Sequence, residues 1–80
     1  MAEAEDRTLD CRRLLCPMPV VRLGREMKTL QAGQVLKLLA TDRGACTDIP
    51  AWAEDTGNEL LEWHDDNGTL VFLLRRGAPA

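Results

Sequence analysis

Residues 35–41, Val-Leu-Lys-Leu-Leu-Ala-Thr, leave this chain few folds to choose from. The run is short and nearly all apolar, which suits a strand inside a sheet rather than a half-exposed one. The residues before it supply a helix. From Pro17 onward, apolar residues fall at Val20, Leu23, Met27 and Leu30, with Val21 beside them. Those steps of three, four and three make one helical stripe. Arg22, Arg25, Glu26, Lys28 and Thr29 take the other side, and Lys28 lies near the negative C-terminal end of the helix. Gly24 sits mid-helix at a cost of about 1 kcal/mol relative to alanine; a close approach of another backbone would justify it. Gln31-Ala32-Gly33-Gln34 ends the helix, with Gly33 expected as its left-handed cap.

Residues 7–12, with Thr8, Leu9 and Cys11, read as a strand ahead of that helix. Strand, helix and strand in this order make a right-handed βαβ unit with parallel strands. Asp42-Arg43-Gly44 is a turn. A second helix starts between Ala45 and Asp48 and runs to Thr56, burying Ala45, Ile49, Trp52 and Ala53. Pro50 is tolerable only in its first turn. Residues 59–65 alternate, Leu61 and Trp63 on one side and Leu60, Glu62 and His64 on the other. Asp66-Asn67-Gly68 carries a hairpin signal, and residues 69–76 form the last strand. The order β-α-β-α-β-β predicts a two-layer α/β sandwich, a four-stranded mixed sheet with two helices on one face. Residues 7–76 make a single domain, with a disordered N-terminal tail at 1–6 and a C-terminal tail at 77–80.

Composition excludes several functions. The net charge is -3, and no basic face is clustered as nucleic-acid binding requires, although a transient RNA contact stays open. No apolar run is long enough to span a membrane. The acidic first residues are the opposite of a signal peptide, so a cytoplasmic chain is expected. The three cysteines, at 11, 16 and 46, form no CxxC pair, and His64 is the only histidine. That argues against a metal site and against a disulfide scaffold. No cofactor is indicated.

The chemistry concentrates at Cys16-Pro17-Met18-Pro19. Proline suits the first position of a helix, which would place Cys16 at the N-cap, where free N–H groups and the helix dipole favour thiolate. The loops leaving the two parallel strands share one edge of the sheet. Asp42, Arg43 and Cys46 should therefore lie near Cys16. Asp42 and Asp48 are expected to cap backbone or to orient the loop. A cysteine hydrolase needs an oriented histidine base. His64, placed at the far edge from Cys16 or on the exposed face, reads as a solvated histidine instead. What remains is one nucleophilic sulfur working with a partner protein, and accepting and passing on a sulfane sulfur as Cys–S–SH fits. Two other readings stay open. One is a redox-active module in which Cys46 resolves an oxidised Cys16. The other is a regulatory interaction domain in which the thiol is dispensable. Cys11 reads as a buried strand residue, and Trp52 and Trp63 as core. Arg22, Arg25 and Lys28 form a basic stripe that is either solvated or docks an acidic partner or RNA phosphate.

Leu9-Asp10, Leu15-Cys16-Pro17-Met18-Pro19, Gln31-Ala32-Gly33, Asp42, Asp48-Ile49-Pro50-Ala51-Trp52 and Gly57-Asn58-Glu59-Leu60 occur in that order. Together they resemble the TusA/SirA-type sulfur-carrier family over nearly the whole chain. The resemblance implies a β-α-β-α-β-β sandwich like the C-terminal domain of bacterial translation initiation factor three. It implies a persulfide on Cys16, with Pro17 and Pro19 shaping the helix start. Sulfur would come from a cysteine desulfurase or a rhodanese-type enzyme. It would pass to an acceptor such as a DsrE-type protein, for tRNA thiolation, cofactor synthesis or sulfur oxidation. The carrier is expected to be monomeric when free. Arg13 stands where a glycine commonly precedes the motif. Gly24 stands where several relatives carry a basic residue used in partner contact.

Overall fold

A computed structural model describes residues 5–78. The elements are β1 (Arg7–Cys11), α1 (Met18–Met27), β2 (Val35–Ala40), α2 (Ala45–Thr56), β3 (Glu59–Asp66) and β4 (Thr69–Arg75). They form one four-stranded sheet in the order β1-β2-β4-β3. The pair β1–β2 is parallel, and β2–β4 and β3–β4 are antiparallel. Both helices pack on one face, giving the two-layer sandwich. The apolar run of β2 occupies a central strand, as its composition requires. Leu36, Leu38, Leu70, Phe72 and Leu74 are fully buried under Leu23 of α1 and Ile49 of α2.

The register fixes which loops meet. Cys11 pairs with Ala40, Ala40 with Leu70, and Leu70 with Asp65. The loops after β1 and β2 and the β3–β4 hairpin turn therefore leave the sheet at one edge. On each side of the core the chain is tied down. Asp6 donates its N–H to the carbonyl of Val35 and accepts the Val35 N–H on its carboxylate, at 2.7 and 2.8 Å. Gly77 donates its N–H to Oδ1 of Asn58 at 2.9 Å.

Several local expectations are corrected. Helix α1 begins at Met18, with Pro17 as its N-cap, because Met18 turns its N–H back onto the Leu15 carbonyl at 2.8 Å. It ends at Met27, and tighter three-residue hydrogen bonds carry the stripe on to buried Leu30. Gly33 does adopt a positive φ of 90°, but in the turn before β2, beyond the end of the helix. Pro50 is the sixth residue of α2 rather than a first-turn residue. The helix tolerates it because three-residue bonds from Ala45, Cys46 and Thr47 wind its first turn tightly, and the Cys46 carbonyl simply receives no amide from position 50. In β3 a bulge between Leu60 and Glu62 shifts the alternation. Leu60 and Trp63 thus share the helix-covered face, Trp63 stacking on Phe72 with ring centroids 5.7 Å apart. Trp63 is 41% exposed and Trp52 half-buried, so neither is a fully buried core residue.

Candidate functional site

Cys16 sits on the loop between β1 and α1, and its side chain is exposed. Three side chains build that loop. Arg13 adopts φ 73°, a left-handed conformation that L-residues avoid and glycine accepts freely. It is held there by its N–H, which donates to Oγ1 of Thr41 at 2.9 Å. Asp10 accepts the N–H and the guanidinium of Arg12, and the paired guanidinium holds its carboxyl at about 2.

Asp42 ties the two loops together. Its Oδ2 accepts the Cys16 N–H at 2.6 Å, and its Oδ1 accepts the Gly44 N–H at 3.2 Å. Those two backbone bonds hold the Asp42 carboxyl below the usual carboxylate range. Gly44 approaches the site closely: a Cβ there would lie 3.4 Å from Cβ of Cys16 and 3.6 Å from the Asp42 carboxylate. Asp48, in the first turn of α2, faces the sulfur, and the Cys16 thiol donates its hydrogen bond to Oδ2 of Asp48.

This overturns the expectation of a thiolate made acidic by a helix end. The Met18 N–H is given to Leu15, Pro19 has none, and the Val20 and Val21 N–H groups both go to the Pro17 carbonyl. None of these amides is left for the sulfur. What surrounds it is negative. The hydrogen bond to Asp48 first, then desolvation and the charges of Asp48 and Asp42, push the Cys16 thiol up. At rest the protonated thiol is favoured.

The other candidates divide. Arg43 points its Nη1 at Oδ2 of Asp65, 2.7 Å away, and so fastens the entry of α2 to the hairpin turn. Cys46 packs against the core cluster. Gly44 and Asp48, four residues apart, share the face turned to Cys16, and Cys46 lies half a helical turn from both. The helix therefore directs Cys46 away from the Cys16 sulfur. Cys11 is fully buried, and burial pushes its thiol up. His64 lies one rung from the Cys16 edge, but opposite Val71 on the face that carries no helix. Among the described residues, no cluster of three or more His, Cys, Asp or Glu could hold a metal ion.

Sequence reasoning missed the apolar surround. Leu15 is 73% exposed, Met18 42% and Val21 39%. Leu15 and Met18 bracket the thiol, and Met18, Val21, Arg22 and Arg25 run along one exposed side of α1 at helical spacing. An apolar residue beside a loop nucleophile was the available signal.

The family model described as sulfurtransferase TusA matches residues 7–76. The sulfur carrier protein TusA of Allochromatium vinosum is 39% identical over 71 residues, covering 89% of this chain and 93% of that protein. The sulfur carrier protein TusA of Pseudomonas putida KT2440 is 40% identical over 73 residues, 91% of each chain. Among solved structures, the SirA-like protein of Desulfitobacterium hafniense superposes with a TM-score of 0.77 at 26% identity, covering 90% of this chain and 99% of that one.

Proposed function

The chain belongs to the TusA sulfurtransferase family, and from that premise we propose that it carries a sulfane sulfur as a persulfide on Cys16. The observation that carries this reading is the setting of the thiol. It is exposed, bracketed by the uncovered apolar side chains of Leu15 and Met18, with its backbone held by Asp42 on the loop after β2 and its sulfur by Asp48 in the first turn of α2. Such a sulfur is presented outward, to another protein.

In loading, the Cys16 thiol gives up its proton to water once a donor site draws Asp48 away from it, and the sulfur attacks the terminal sulfur of a donor persulfide. The donor S–S bond breaks, Cys16–S–SH forms, and the donor cysteine leaves as thiolate. In unloading, an acceptor thiolate attacks the outer sulfur, and Cys16 leaves and recovers a proton. No net oxidant or reductant is needed. Asp42 keeps the Cys16 backbone in place throughout. The raised thiol pKa makes the free carrier slow towards indiscriminate electrophiles, and a cationic donor site that draws Asp48 off the sulfur would release its reactivity.

The donor is a cysteine desulfurase or a rhodanese-type enzyme. The acceptor is a DsrE-type protein or a similar relay partner, leading towards tRNA thiolation, cofactor synthesis or sulfur oxidation. The exposed side of α1, with Val21, Arg22 and Arg25, continues the apolar rim around Cys16 and suits a partner with an acidic border. The carrier works as a cytoplasmic monomer; among the described residues no helix is long and apolar enough to cross a membrane.

Intact mass after incubation with a desulfurase and cysteine tests this. We expect an adduct of about 32 Da, one sulfur, on the wild type and none on Cys16→Ala. An equal adduct on that variant, or none on the wild type, defeats the reading. A redox role for Cys16 and Cys46 would instead give a Cys16–Cys46 peptide on non-reducing mapping, against the direction in which α2 turns Cys46.

A further inference from the structure

Between the C-terminal halves of α1 and α2 lies a groove of about 350 Å³, floored by Gly24 and Trp52 and closed by Asn58, Arg76 and Gly77. Its near end, Gly24, is six residues along α1 from Met18, roughly 9 Å at the rise of a helix, and none of its lining residues belongs to the thiol site. We infer that this groove binds a small organic anion with a flat apolar body.

Three observations support the inference. The first is charge. Lys28 and Arg76 line the groove and no Asp or Glu does, in a chain of net charge -3. Arg76 is already ordered, because its Nη1 donates to the carbonyls of Met27 and Leu30, each at 2.7 Å. Lys28 is exposed and makes no ion pair with any described residue. The second is the indole. Trp52 is half-buried with one face against the core, and its Nε1–H finds no acceptor among the described residues. It therefore offers a donor beside an apolar wall, the combination that binds a flat acid.

The third is Gly24. A Cβ at that position would meet only Nε1 of Trp52, at 3.8 Å, an ordinary contact. No backbone approaches, so packing does not demand glycine. Mid-helix glycine still weakens α1 by about 0.5–1 kcal/mol relative to alanine. An open groove floor accounts for that sacrifice, since any side chain longer than a methyl group would occupy it.

The probe is 2-naphthoate, titrated into the whole chain and followed by ¹H–¹⁵N correlation spectra. The two tryptophans give two indole N–H signals, and Trp63, which does not line the groove, is the internal control. We expect saturable shifts of the Trp52 indole and the Gly24 amide with the Trp63 indole unmoved. Lys28→Gln should weaken binding roughly three- to fivefold, the strength of a surface ion pair, Lys28→Arg should restore it, and Gly24→Leu should abolish it. Equal affinity for neutral 2-naphthamide, equal movement of both indoles, or no saturable shift at millimolar ligand would overturn the inference. The readout is binding rather than sulfur transfer, so it succeeds or fails independently of the carrier reading.

Discussion

Cys16 and Asp48 show how one hydrogen bond can reverse a sequence-level argument. The helix end was expected to acidify the thiol, but the two prolines that mark that end also strip it of free amides. Asp48 then raises the thiol pKa, with its hydrogen bond as the main cause. A raised pKa favours the folded loop below the free thiol's pKa, and that contribution is lost as pH rises through the shifted value. The pH profile of iodoacetamide alkylation should therefore lie to the alkaline side of a free cysteine. Asp48→Ala should move it back towards acid and speed alkylation at neutral pH. An unchanged profile would show that the carboxylate does not control the thiol. Sequence placed Asp42 at this edge, since it follows β2 directly. The contact of Asp48 with a residue 32 positions away needs the rotation of α2, which sequence periodicity reports only once the helix start is known. Arg13 holds a strained backbone conformation in the same loop. Its φ of 73° costs about 1 kcal/mol for a residue with a Cβ, and glycine would add a comparable unfolded-state entropy loss. Arg13→Gly should thus alter stability by no more than about 0.5 kcal/mol, and the β-branched Arg13→Val should lose roughly 1–2 kcal/mol. Urea unfolding of both variants checks the pair.

At the scale of elements, hydrophobic spacing identified both helices and all four strands, because each buries a stripe or a face against the same core. Boundaries and faces were harder. The bulge at Leu61 exchanges the faces of β3 beyond it, and no residue in Glu59–Asp66 is a glycine or proline that would announce it. The start of α1 moved by one residue because the Leu15 carbonyl captured the Met18 amide, a tertiary choice of loop path. Gly24 is a helix position whose cost can be measured. The helix loses about 0.5–1 kcal/mol to it, and the only near neighbour of an added Cβ is the indole edge at 3.8 Å. Gly24→Ala should stabilise the domain by about that amount and raise its melting temperature by roughly 2–8 °C for a domain of this size. A lower melting temperature would mean that the indole cannot accommodate a methyl group.

The described residues share one core, and both the thiol loop and the groove stand on it. Phe72 joins them, since it is fully buried in the central strand β4, takes the stack of Trp63 and lies under the helices. A domain of 80 residues has a total stability of roughly 4–12 kcal/mol at the usual density per residue. Deleting a buried phenylalanine costs about 3–5 kcal/mol, which is a large part of that. No second core exists among the described residues to hold either end once the sheet opens. Phe72→Ala should therefore lose its thiol-loop geometry and its groove in one step. In urea, the fluorescence of Trp52 beside the groove, that of Trp63 at the sheet edge and the alkylation rate of Cys16 should share a single midpoint, shifted down together in the variant. Separate midpoints would show that the loop bearing Cys16 opens on its own, and that Asp42 alone does not bind it to the fold.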